Sequence, residues 1–167
     1  MERLVLGAFL ALAACGSGGG EEESALQIDV SLEQEEQLCE ILSSDVTTTP
    51  LAVDATPSIA DADGIAATAG KKPVALAEID GGYGGYLKIT LDPANQSPVI
   101  LMFDEPMSFE PVLEDGSPVE LVDAGDGSEL CDAAEGRYTW YVSGGTNYLS
   151  FSGAESAAFN LVFETVD

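Results

Sequence analysis

Histidine is absent from this 167-residue chain, and only five of its residues are basic. The first absence removes Ser-His and Cys-His nucleophile pairs and every His-based zinc site. Gly-x-Ser-x-Gly, the strained elbow that presents a nucleophilic serine, is missing as well. The shortage of basic residues, set against 30 acidic ones, leaves a net charge of −25 and a pI near 4.1. A surface of that sign repels phosphates and anionic headgroups, so neither nucleic acid nor an anionic lipid surface is expected as a partner. Divalent cations or basic partners would be attracted. Solubility at high ionic strength is the plainer role for carboxylates scattered along the chain. Long apolar runs are lacking too: the longest stretch that is apolar throughout, residues 4–14, is too short to span a bilayer. What remains is a foldable composition, with 46% hydrophobic residues and a mean hydropathy of +0.14.

That apolar stretch ends in Leu12-Ala13-Ala14-Cys15. Its length fits the roughly 7–15 residue hydrophobic region of a secretory signal. The tetrapeptide resembles the lipobox of bacterial lipoproteins, in which small residues admit the peptidase and the cysteine thiol receives diacylglycerol. An ordinary secretory signal cut nearby is the alternative. Glu2 offsets Arg3, so the α-amine carries most of the positive charge before the apolar run. The resemblance implies that residues 1–14 are a signal peptide, that Cys15 is lipidated and becomes the mature N-terminus, and that the chain lives in a bacterial cell envelope. Removing 14 of 167 residues leaves 153, enough for one domain and a tether. The acidic count falls from 30 to 29 and the basic count from 5 to 4 with Glu2 and Arg3, so the net charge stays at −25.

Three cysteines occur, and lipid claims Cys15. Cys39 and Cys131 remain as an even pair in an oxidising compartment, which predicts a disulfide rather than two separate thiols. Closing so long a loop is worth about 4–5 kcal/mol in the chain-entropy model.

Residues 15–23 are glycine- and glutamate-rich, a flexible, solvated tether. In lipoproteins of two-membrane bacteria, a glycine after the lipidated cysteine implies sorting to the outer membrane. Residues 24–70 are expected to hold one short helix and a linker. Ser31 with Gln34 suits a capping box, and Leu32, Leu38, Cys39 and Leu42 fall roughly on one face. Residues 47–69, rich in Thr, Ala, Asp and Pro, read as a linker or long loop, with an added strand near 51–53.

From residue 71 to 167 the pattern is β. Leu87, Ile89 and Leu91 alternate with polar neighbours, and Val99 to Phe103 is a continuous apolar run that suits a strand buried on both faces. Residues 109–113 and 118–122 flank Glu114-Asp115-Gly116-Ser117, whose Asp-Gly step signals a hairpin. Tyr138, Trp140 and Val142 share one face, which puts Trp140 and Tyr138 in a core and turns Tyr141 outward. Gly144-Gly145 turns the chain into residues 148–152, and Phe159, Leu161 and Phe163 line a last strand. Seven or eight short strands at this spacing define an all-β chain, an antiparallel β-sandwich with one short N-terminal helix.

Within that stretch, Tyr86-Leu87-Lys88-Ile89-Thr90-Leu91, Val112-Leu113-Glu114-Asp115-Gly116, the run from Gly136 through Tyr138 and Trp140 to Gly145, and Tyr148-Leu149-Ser150-Phe151 resemble the bacterial pre-peptidase C-terminal type of jelly-roll module. The resemblance covers about half the chain and implies a non-catalytic accessory domain with no catalytic residues to transfer. No protease precedes it here.

Ligand candidates are few. Asp123, Asp126 and Glu129, with Asp132 shortly after, place oxygen donors on a Gly-containing loop, as calcium requires. The spacing is not that of an EF-hand, and a plain turn is the simpler reading. Asp61-Ala62-Asp63-Gly64 is a weaker version of the same pattern. Asp80 to Tyr86 superficially resembles a phosphate loop but leads into a strand, so it reads as a hairpin turn. Carboxylate pairs of the glycosidase type are not singled out among 30 acids. The expected function is therefore that of a lipid-anchored, non-catalytic envelope lipoprotein. It would act as a binding, adhesion or assembly module toward an unknown surface protein or glycan and need no cofactor. A calcium-dependent accessory module or a carboxylate-based glycan hydrolase are the alternatives.

Overall fold

A computed structural model describes residues 27–45, 52–91, 97–125, 131–142 and 147–166. Helix α1 (Leu32–Ser43) comes first, followed by the short strands β1 (Val53–Asp54) and β2 (Gly64–Ala66) around a 3-10 turn at Ile59–Asp61. The chain continues through β3 (Thr68–Ala75), β4 (Ala77–Ile79), β5 (Gly82–Thr90), β6 (Ser97–Phe103) and β7 (Ser108–Leu113). It finishes with β8 (Leu121–Gly125), β9 (Gly136–Val142), β10 (Asn147–Ala154) and β11 (Ala158–Thr165).

Two sheets face each other. One runs β1-β3-β11-β6-β9-β8, the other β2-β5-β10-β7 with β4 also on β5. The long strands pair like nested brackets: β3 with β11, β5 with β10, and β6 with β9. The innermost bracket is β7 and the residues after it, where Val112 faces Pro118 across the Glu114–Ser117 turn. One ribbon, folded at that turn and rolled so that successive pairs alternate between sheets, is the jelly-roll arrangement of a two-sheet sandwich. Gly116 sits at φ +82, a left-handed conformation that admits glycine readily, and the Asp115 carboxylate accepts from Ser117 N at 2.9 Å.

The structure departs from the simplest antiparallel expectation in three places. The sheets are mixed, since β1 lies parallel to β3 and β2 parallel to β5. Residues 53–66, expected as linker or long loop apart from a strand near 51–53, are part of the sandwich. Together with β4 they cover the outer edge of β5: β4 pairs with residues 82–84, Thr56 exchanges two hydrogen bonds with Tyr86, and β2 pairs with residues 88–90. An uncovered edge invites pairing with other chains, and these short pieces close it. Gly85 lets Thr56 come so close: a Cβ there would meet the Thr56 carbonyl at 2.9 Å. Third, the residues after the Asp-Gly turn stay on β7 only as far as Val119 N donating to Pro111 O, and β8 then joins β9 in the other sheet. Pro111 has no N–H to return the bond to Val119 O, which weakens the first ladder there.

The interior holds Val74, Leu87, Val99, Leu101, Leu149, Leu161 and a run of aromatics. Phe103 is ringed by Phe109, Tyr138, Phe151 and Phe159 at centroid distances of 5.6–6.2 Å, and Trp140 stacks on Phe163 at 5.9 Å. Tyr138, Trp140 and Val142 thus do share the inward face, while Tyr141 on the opposite face is half-buried.

Candidate functional site

Every residue from Val99 to Phe103 has 0% exposure, which requires a cover on each side of β6. Val99, Leu101 and Phe103 point between the sheets, whereas Ile100 and Met102 point outward with Val162 into a second apolar cluster. Helix α1 supplies the lid of that cluster through Leu38 and Leu42, and Cys131 and Ala134 close its side. The Ser31 hydroxyl caps the helix by accepting from Gln34 N, as its position suggested. The Gln34 side chain does not return to the cap: its Nε2 donates to Thr165 O at 2.9 Å and ties α1 to β11. Leu32, expected on the buried face, is 69% exposed. At 100° per residue it lies about 80° from Leu42 around the helix, and Glu35 takes the buried position instead.

The expected Cys39–Cys131 disulfide is present, with Cα atoms 5.4 Å apart across 92 residues of sequence. It joins the middle of α1 to the connector that enters β9. Arg137, on β9, makes the second link. Its guanidinium reaches Glu35 of α1 at 3.1 Å and Asp123 of β8 at 2.6 Å. A third link is Lys71 Nζ donating to the carbonyl of Ser44 at the end of α1, at 2.8 Å. A cation there also suits the negative end of the helix dipole. Two of the chain's five basic residues therefore fasten one helix to one sheet. Arg137 was not singled out from the sequence, although an arginine in so acidic a chain was itself a signal.

Of the proposed calcium ligands, Asp123 lies on β8 with its carboxylate bound to Arg137, so a cation there would have to displace a guanidinium. Asp126 and Glu129 lie outside the described residues, as do Cys15 and the Gly144-Gly145 turn. Among the described residues no three His, Cys, Asp or Glu side chains converge as a metal site would require. Asp61 and Asp63 are both exposed.

Several carboxylates work inside turns. Asp104 accepts from both Asn160 N and Asn160 Nδ2 at 2.7 Å, and Glu105 accepts from Ser156 N at 3.0 Å. The Asp115 carboxyl is held below its ordinary pKa by the hydrogen bonds it accepts from Ser117. Buried Lys72 donates to the carbonyls of Thr68 and Gly70 at 2.6 and 3.2 Å. Desolvation lowers its pKa, against a smaller opposing pull from Glu164.

The class defined by these features is a two-sheet jelly-roll sandwich with a disulfide-fastened helix on its outer face. No protein-family model matches the chain, and no curated protein sequence matches it.

Proposed function

We propose that this chain is a lipid-anchored, non-catalytic protein of the bacterial cell envelope whose jelly-roll sandwich acts as a binding, adhesion or assembly module. The observation that carries this reading is Leu12-Ala13-Ala14-Cys15, followed by the Gly/Glu-rich residues 16–23, ahead of a sandwich. Lipid on Cys15 holds the domain at the membrane, and the glycine after Cys15 favours the outer membrane. No helix among the described residues is long and apolar enough to cross a membrane. The partner is a surface protein or glycan rather than nucleic acid, because a net charge of −25 repels phosphates.

Fractionation tests this reading. The wild-type chain should sediment with membranes, and Cys15→Ser should move to the soluble fraction with its circular-dichroism spectrum unchanged. Equal membrane association of the two proteins would refute the anchor.

A further inference from the structure

We propose that the Cys39–Cys131 bond is a redox latch: its reduction frees α1 from the six-stranded sheet while the sandwich beneath stays folded. The two apolar clusters are separate, and α1 contributes side chains only to the outer one. Because α1 precedes β1 in the chain, residues 27–45 can leave without breaking a strand pairing in either sheet. Cys131 is held from the sheet side independently of the helix, through Ala134 N donating to Cys131 O and Glu135 N donating to Phe103 O.

What keeps α1 in place without the disulfide is modest. Leu38 and Leu42 are its only buried apolar side chains. Its ties to Lys71 and Thr165 are part-buried bonds that water can replace, and the one largely buried polar tie is the Glu35–Arg137 pair. A helix of 12 residues does not sustain itself in water once its apolar face is released. Cys39 is half-buried and Cys131 fully buried, so a reagent would approach from the Cys39 side.

The exchange balances with a dithiol as reductant. One thiolate attacks the Cys39 sulfur and expels the Cys131 thiolate, leaving a mixed disulfide. The second thiol of the reagent then attacks that disulfide and expels the Cys39 thiolate. Both cysteines take up protons, and the dithiol departs oxidised to its disulfide. Release uncovers Ile100, Met102 and Val162 beside the Cys131 thiol. A further consequence rests on the lipid-anchor reading: residues 27–45 join the tether and extend its reach by up to about 60 Å.

Hydrogen exchange of the full chain in detergent, before and after dithiothreitol, tests the latch. Amides of α1 should lose protection by roughly tenfold or more while β6, β9 and β11 keep theirs. Unchanged protection in α1 would overturn the proposal, and so would simultaneous loss across the sheets. Cys39→Ser/Cys131→Ser should reproduce the reduced pattern; should that variant fail to fold, the reduced wild-type chain, already folded, decides alone. Neither readout depends on lipid, so failure of the latch and failure of the anchor are told apart by the exchange pattern and by the behaviour of Cys15→Ser.

Discussion

The space between the sheets and the space beneath α1 are both lined by buried apolar side chains, yet they are held by different means. Between the sheets, rings from β6, β7, β9, β10 and β11 meet edge to face or stacked around Phe103, and apolar burial accounts for the packing. Beneath α1, a handful of aliphatic side chains is supplemented by a covalent bond, a buried carboxylate paired with Arg137, and a lysine on the helix C-terminus. A two-turn apolar stripe is too narrow to hold a helix by itself, and specific links make up the difference. The interior should therefore fail as one cooperative unit and the outer layer as a separate, weaker one.

Breaking that contrast from the inside gives the largest effect. Phe103→Ala removes the ring at the centre of the aromatic cluster and should cost about 3–5 kcal/mol, lowering the urea midpoint seen by Trp140 fluorescence. Leu38→Ala should cost about 2–4 kcal/mol at most, and its signature is loss of exchange protection in α1 with the fluorescence midpoint barely moved. If both variants shift the two probes equally, the regions are one unit.

Arg137→Met leaves Glu35 in its buried position without the guanidinium and should cost about 1–3 kcal/mol. The loss should again appear first in α1. Gly116→Ala strains the tip of the rolled ribbon, where φ is +82 and space for a methyl is open, so only backbone strain of about 1–2 kcal/mol is expected. Chemical denaturation measures it directly.

The smallest effect is a pH dependence. The native pKa of Lys72 lies below its ordinary 10.5, so the unfolded chain binds that proton more tightly. Wild type should gain stability relative to Lys72→Met as pH rises from the lowered native value to the ordinary one, with no further gain above it. A difference independent of pH between neutrality and pH 11 would refute the assignment.

The interior was the legible part of this fold. Alternation at Leu87 and Ile89, at Tyr138, Trp140 and Val142, and at Phe159, Leu161 and Phe163 reports directly which side chains face the opposite sheet. The double burial of residues 99–103 could be read as well, though not what covered their outer side. The pairing of Cys39 with Cys131 followed from parity and compartment. A strand near residues 51–53 was legible and overlaps β1; β2 was not, because three residues leave no period to detect, and Thr56 pairs with Tyr86 through its backbone. The transfer of β8 to the other sheet follows a ladder weakened where Pro111 cannot donate, a fact of partners rather than of pattern. Glu35 replaced Leu32 on the buried helix face because Arg137 waits there, 102 residues away in sequence.

Intact mass spectrometry of the protein extracted from membranes tests the central claim most directly, since it reads anchor and disulfide together. The account predicts a chain that begins at Cys15, carries the mass of a diacylglyceryl group, and lacks the two hydrogens lost on joining Cys39 to Cys131. A chain without lipid, whether retaining residues 1–14 or cut elsewhere, would contradict it.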